Sequence, residues 1–251
     1  MKISVITVCF NSAGTIGGTL QSVASQTWSN VEHIVVDGSS TDGTLGVVEQ
    51  YRAGVAQVIS EPDAGIYDAM NKGLRLATGD VVGFLNADDI YTSNHVLERI
   101  VQTMSHQDPR LDAVFADAEF VRSNAPHQTV RRYRSAKFHP DKIAWGWMPA
   151  HPTLFLRRDL FDRFGMFKTD YRIAGDFELI ARMFHGRSLN YRYLPEVLVR
   201  MRLGGVSTGG LRNTVLLNRE VLRACRANGI DTNWFKVLSK YPAKLWEFGQ
   251  R

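Results

Sequence analysis

Cysteine is almost absent: the 251 residues hold only Cys9 and Cys225, far apart in the chain. Two such residues make neither a disulfide framework nor a CxxC metal site, and a reducing cytoplasm is their simplest setting. Long apolar runs are missing too. None approaches the roughly 18–20 residues of a membrane span. The opening Met1-Lys2-Ile3-Ser4-Val5-Ile6-Thr7-Val8 has one basic residue and reads as a first strand, not a signal peptide. The turn after it, Cys9-Phe10-Asn11-Ser12-Ala13-Gly14, lacks the GxGxxG pattern of a dinucleotide site, which argues against NAD. There is no internal repeat and no low-complexity linker, so the chain reads as one compact domain with a helical tail.

What is present suits a folded enzyme-sized core. Apolar residues make up 44% and charged residues 22%, with 13 Phe, 8 Tyr and 5 Trp to fill the interior. The net charge of +5 is uneven. Residues 182–251 carry 13 Lys/Arg against 4 Asp/Glu, a net of +9, which leaves −4 on residues 1–181. An acidic body with a basic tail points to an anionic partner: nucleic acid, anionic lipid or a phosphorylated substrate.

Strand and helix patterns alternate through the first half. Strands are expected at Ile3–Val8, Val31–Val36, Gln57–Ser60 and Val81–Leu85. Helices are expected at Ala13–Ser25, Asp42–Tyr51 with Thr41 as cap, Ile66–Ala77 and Val96–Met104. Near-continuous apolar strands imply a mostly parallel sheet with helices on both faces, an α/β fold. The second half is less regular. It offers a strand pair at Val114–Val121 and Gln128–Arg134, a short strand at Leu154–Arg157 and a helical turn at Asp159–Phe164. A helix at Asp176–Gly186, a strand at Tyr191–Val199, and basic helices at Leu211–Ala227 and Trp234–Phe248 follow.

Ligands of such sheets bind beyond the carboxyl ends of the strands. Four clusters fall there: Cys9-Phe10-Asn11, Asp37-Gly38-Ser39, Glu61-Pro62-Asp63 and Asn86-Ala87-Asp88-Asp89. Adjacent acids such as Asp88 and Asp89 repel unless a cation or donor offsets them, and hard oxygen ligands suit Mg²⁺ or Mn²⁺. The plainer reading of that pair is a turn or helix cap. Asp37 sits where an acid accepts hydrogen bonds from a nucleobase or ribose; Ser39 to Thr44 read as a polar loop before a helix. Asp176, among Phe177, Leu179 and Ile180, has apolar neighbours that make a carboxylate a better base; helix capping is its alternative. His151 follows an aromatic loop in which Trp145 and Trp147 form either a sugar platform or a packing cluster.

In order along residues 1–210, these pieces resemble the family 2 glycosyltransferases of GT-A fold. They are Ser4 to Asn11, Val36 to Thr44, Glu61-Pro62-Asp63 to Gly73, Gly79 to Asp89, His151-Pro152-Thr153, Gly175-Asp176-Phe177-Glu178 and Arg202 to Ser207. The stretch Gly65 to Gly73 looks most like bacterial enzymes of capsule, O-antigen and exopolysaccharide assembly. The resemblance implies a nucleotide-binding half (about 1–110), an acceptor half (about 111–210) and a tail (211–251). It implies an inverting transfer from a nucleoside-diphosphate sugar, UDP favoured, to a glycan or lipid-linked hydroxyl.

The roles it implies are these. Thr7, Cys9, Phe10, Asn11, Asp37, Asp63, Lys72 and Asp88 would hold the nucleotide. Asp89, with Asp88, would hold Mn²⁺ or Mg²⁺. Asp176 would be the general base, and Trp147, His151, Glu178, Arg202 and Ser207 would border the acceptor or diphosphate. Departures from the family pattern stand at Val8 (often Pro), Gly38 and Asn86 (acids) and Gly175 (Glu). The basic helices suit an anionic membrane surface, self-association or packing on the body. The expected place is therefore cytoplasmic, with a peripheral position on the inner membrane face. No nucleic-acid partner is expected, since the tail lacks a reading motif. The rivals are a sugar-phosphate nucleotidyltransferase, whose Gly-rich basic signature is missing, and a non-catalytic binding module.

Overall fold

The computed structural model describes residues 1–105, 110–122, 125–204 and 210–241. β1 (Ile3–Cys9), α1 (Ile16–Ala24), β2 (Val31–Asp37), α2 (Thr44–Gln50), β3 (Gln57–Ser60), α3 (Ile66–Leu76) and β4 (Val81–Phe84) alternate as the apolar pattern requires. β5 (Ile90–Tyr91), α4 (Val96–Ser105), β6 (Ala113–Arg122), β7 (Ala125–Tyr133), β8 (Phe155–Arg157), α5 (Asp159–Phe164), α6 (Gly175–Phe184), β9 (Tyr191–Arg202), α7 (Leu211–Ala227) and α8 (Trp234–Leu238) follow. Among the described residues these strands form one sheet of order β3-β2-β1-β4-β8-β6-β9-β5, with β7 paired outside that path to β6.

β3-β2-β1-β4 run parallel, and so do β6 and β9. β8 pairs antiparallel with β4 and carries the sheet on to β6. Alternation along β1 explains its all-apolar look. Ile6 and Val8 face α3, α6 and α7, whereas Ile3 and Val5 face α4, and Cys9 faces α1 and α2. A strand covered on both faces has no polar side to show. This is the mixed α/β sheet expected, curled and flanked by helices.

Three details differ from the sequence expectations. β5 was not anticipated: two residues directly after the acid pair are too short to show a period, and β5 forms only because β9 is there to pair with it. α2 begins at Thr44, capped at Gly43 (φ 93°) and not at Thr41, because the turn needs a left-handed residue. Asp42 then takes the Thr44 N–H (3.1 Å) and hydroxyl (2.5 Å). The final basic helix is described as Trp234–Leu238; the rest of the stretch expected as helix to Phe248 lies outside the described residues from 242 onward.

α7 packs on α6, with Val221, Leu222, Ala224 and Cys225 in the main core. Its apolar face is therefore covered by the body of the protein. No helix among the described residues is long and apolar enough to cross a membrane.

The seam at β8 is tight. Phe155 is fully buried, and a Cβ on Gly83 of β4 would lie 2.5 Å from its ring. Phe155→Ala is expected to cost about 3–5 kcal/mol in urea unfolding; a cost below about 1 kcal/mol would show that the seam is not a packing centre.

Candidate active site

The sheet register assembles the first side of the site. Cys9 stands beside Asp37, and Asp37 beside Ser60. Asp37 is wholly buried, and burial works against its charge. Bonds from the Ser40 hydroxyl and N–H (3.0 Å) and the Ser60 hydroxyl (2.7 Å) outweigh it and hold the pKa below the usual value. Its oxygens are thus spent on its own loop. Burial, and then the Asp37 charge, push the Cys9 thiol pKa up, so it stays protonated and inert.

That bracing sustains backbone strain beside it. Asn11 (φ 49°) and Ser39 (φ 62°) are left-handed without being glycine. The Asn11 N–H donates to Ser40 Oγ (2.7 Å), and its Oδ1 accepts from the Thr41 N–H (2.9 Å). The strained turn leaves Phe10 64% exposed, a large ring offered to a ligand. Gly38 permits the crowding: a Cβ there would lie 2.4 Å from Asp63 Oδ2 and 3.4 Å from the Phe10 ring.

The acid pair follows β4. Asp89 is 3% exposed. Burial raises its pKa well above the ordinary carboxylate value, and the Asp88 charge adds to this; burial raises Asp88 as well, with Arg202 opposing in both cases. The Asn86 amide donates to Asp89 Oδ2 (3.1 Å), while Asn86 Oδ1 is buried with no hydrogen-bond partner among the described residues. Two carboxylates and an orphaned acceptor make an oxygen-rich cradle that a hard cation fits. Among the described residues no group of three or more His, Cys, Asp and Glu could hold a metal. Mg²⁺ and Mn²⁺ do not require such a group: they take one or two carboxylates and complete the shell with substrate phosphate and water.

Asp176 lies in the first turn of α6. Burial raises its pKa, with His151 opposing. Burial lowers the His151 pKa, with Asp176 opposing, which favours the neutral ring. His151 stacks on Phe84 at 5.4 Å and meets the edge of Phe167 at 5.9 Å. The Tyr67 hydroxyl donates to the Ile173 carbonyl (2.6 Å) and stands 3.4 Å from Asp176 Oδ1. A Cβ on Gly175 would lie 2.7 Å from the Tyr67 ring, so Tyr67 fills the space a larger residue there would need.

A cavity of about 450 Å³ joins these parts. Of the residues anticipated from the sequence, Cys9, Phe10, Asn11, Asp88 and Asp89 line one part of its wall. His151, Asp176 and Arg202 line another. Tyr67, Phe120, Arg172 and Met201 line it too and were not anticipated. Tyr67 sat within the quoted Gly65–Gly73 stretch and was overlooked there; the other three have no local signature.

Other anticipated residues do not reach the cavity wall. Thr7 is fully buried against His33 (3.0 Å), and Asp37 braces its loop. Asp63 accepts from the Gly65 N–H (2.9 Å). Lys72 pairs with Glu61 (2.9 Å) and donates to the Pro62 carbonyl (2.6 Å). Trp147 lies under Lys137, whose Nζ is 5.6 Å from its ring. Glu178 is fully buried in an ion-pair cluster with Lys168 (2.9 Å) and Arg182 (3.0 Å), so it holds the core and does not face an acceptor. Ser207 lies outside the described residues.

The sequence profile of glycosyl transferase family 2 matches residues 4–165, and the chain belongs to that family. A PGL/p-HBAD biosynthesis glycosyltransferase of Mycobacterium bovis is 32% identical over 223 residues, covering 88% of this chain and 82% of that protein. An uncharacterized glycosyltransferase of Mycobacterium tuberculosis is 31% identical over 188 residues, 72% of this chain and 68% of that one. Two solved structures share the GT-A fold. TarS 1–349 of S. aureus with UDP-GlcNAc has a TM-score of 0.68 at 21% identity, over 89% of this chain and 66% of that one. Mannosyltransferase PcManGT of Pyrobaculum calidifontis with GDP-Man and Mn²⁺ has 0.63 at 23%, over 88% and 64%. This chain thus spans about two thirds of each of those two structures.

The buried acid pair has a stability signature. With its folded pKa raised, Asp89 weakens the fold as pH climbs from the unfolded carboxylate value through the folded one; at lower pH both states are protonated and the penalty vanishes. In metal-free buffer, Asp89→Asn is therefore expected to melt above the parent protein at about pH 7, the gap closing towards about pH 4. Melting scans across that range check it, and an Asn variant that melts lower at neutral pH contradicts it.

Proposed function

We propose that this glycosyltransferase moves a sugar from a nucleoside-diphosphate sugar, a UDP-sugar first, to a hydroxyl of a glycan or lipid-linked acceptor, inverting the anomeric carbon. The observation that carries the reading is one cavity lined by Asp88, Asp89, Asp176 and the exposed Phe10 ring. Phe10 stacks on the nucleobase, and the Asn11 turn shapes the pocket beneath it. Asp37 supports that turn through Ser40, Asp63 holds the Gly65 N–H, and Lys72 holds the Pro62 carbonyl and the Glu61 carboxylate. Asp89 and Asp88, with Asn86 Oδ1, would hold Mn²⁺ or Mg²⁺. Once bound, the cation supplies positive charge against the leaving diphosphate. Arg202 adds a second positive group beside the acids.

Asp176 takes the proton of the acceptor hydroxyl as its oxygen attacks the anomeric carbon. Its raised pKa makes it a stronger base than an exposed carboxylate. As the base of a single displacement, with Asp88 and Asp89 turned to the cation, Asp176 would leave the anomeric carbon inverted. The neighbours solved with UDP-GlcNAc and GDP-Man support the donor class.

The test is release of nucleoside diphosphate from a panel of UDP-hexoses and GDP-mannose with Mn²⁺, Mg²⁺ or EDTA. Metal-dependent release from one donor is expected. Asp176→Asn should lower it at least about a hundredfold while UDP or GDP affinity stays within about twofold. The acid limb of the rate should lie above the ordinary carboxylate range, because Asp176 must be ionised to act. No release together with no calorimetric nucleotide binding sinks the reading.

A peripheral membrane position is the companion proposal. The solvent face of α7 presents Arg212, Arg219, Arg223 and Arg226, of which Arg223 is paired with Asp170. α8 adds exposed Trp234, Phe235 and Leu238, and Trp234 shares a surface hollow with three of those arginines. Arginines beside exposed aromatics suit an anionic lipid surface, where a lipid-linked acceptor would lie. Sedimentation with phosphatidylglycerol vesicles, and none with phosphatidylcholine, is the expected result, reduced in Arg219→Glu/Arg226→Glu. Equal sedimentation of that double variant would remove the proposal.

A further inference from the structure

Glu220 is a buried carboxylate that the proposed chemistry does not use. It lies on α7 and is 7% exposed. Its Oε1 accepts from the Arg172 N–H at 2.8 Å, and its Oε2 accepts from the N–H groups of Ile173 (2.9 Å) and Ala174 (2.8 Å). Three consecutive backbone donors converge on one anion, an arrangement that both fixes a loop and satisfies the charge. The place is significant. Ala174 is the cap residue of α6, so a carboxylate from another helix takes up the cap N–H and the two N–H groups before it.

The same segment is gripped elsewhere. Tyr67 bonds the Ile173 carbonyl from the α3 side, so both polar groups of that peptide position are tied. Arg223, further along the same helix, donates to the Asp170 carboxylate (2.6 Å) and carbonyl (3.1 Å) and lies 3.9 Å from the Tyr171 ring centroid. The held segment ends two residues before Asp176, and Arg172 and Ile173 line the cavity.

We propose that Glu220 is a positioning residue for Asp176: it fixes the backbone of Arg172 to Ala174 and so sets the direction from which Asp176 meets the acceptor hydroxyl. This makes α7 part of the catalytic apparatus, and it rests on the reading of Asp176 as the base. Catalytic geometry is intolerant here, since a displacement of about 1 Å can cost on the order of a hundredfold in rate.

Glu220→Gln keeps the volume but replaces one acceptor oxygen with an amide that faces N–H groups. With the donor identified by the panel, its turnover should fall at least about tenfold. Affinity for UDP or GDP should stay within about twofold, because that ligand sits against β1 and β4. Hydrogen exchange at the amides of 172–174 should speed up in step. Unchanged turnover, or an equal loss of turnover and nucleotide affinity in a protein that stays folded, overturns the proposal, the second because it marks a merely structural role. Asp176→Asn in parallel separates the two claims: if it keeps turnover, the base assignment fails and the proposal with it. If only Glu220→Gln keeps turnover, the proposal alone fails.

Should Glu220→Gln not fold, the surface pair Asp170→Asn and Arg223→Ala loosens the same segment from outside the core. Each should lower turnover about threefold with nucleotide affinity intact; no drop in either overturns the proposal.

Discussion

Asp88 and Asp89 are neighbouring acids that the fold withdraws from water. Holding two such groups together is unfavourable unless something answers their charge, and Arg202 is the cation that opposes the rise in their pKa values. The surrounding architecture keeps them there regardless. β4 lies parallel to β1 and carries the turn to the sheet edge. The Thr19 hydroxyl of α1 donates to the Asp89 carbonyl at 2.8 Å, and β5 pins the chain beyond them against β9. Charge so little answered costs stability at this one place, and a bound cation would remove that cost.

The two sides of the cavity are made rigid by different means. On the side of Phe10 and Asn11 the turns after neighbouring strands brace one another: Asp37 holds Ser40 and Ser60, and Asn11 holds Thr41. Bonds of that kind lie within one turn or join the ends of neighbouring parallel strands. On the side of Asp176 the segment is held from α3 and α7, distant in the chain. The first side therefore comes with the strand–helix repeat itself, whereas the second depends on contacts with a late helix.

This difference also decides what could be read in advance. The alternation of β1 to β4 with α1 to α3 follows from apolar periodicity, and the acids Asp88, Asp89 and Asp176 stand where strand ends and helix starts place them. All three line the cavity. Asp37 was legible as important, but whether its oxygens face a ligand or Ser40 and Ser60 depends on the third strand. Glu178 was expected to border the acceptor or diphosphate; the helical period turns it onto Lys168 and Arg182. Arg172, Phe120 and Met201 reach the cavity through loop and sheet closure, and Glu220 meets its partners across tertiary distance. No local pattern encodes such contacts.

The contact between Gly175 and Tyr67 has an evolutionary side. A Cβ at 175 would press into the Tyr67 ring at 2.7 Å, and that same tyrosine carries the hydroxyl that ties Ile173. The two positions are therefore epistatic. A larger residue at 175 becomes acceptable only after position 67 has shrunk or swung aside, and that first step gives up a support of the loop before Asp176. The order of the two changes is therefore fixed: the substitution at 67 has to come first.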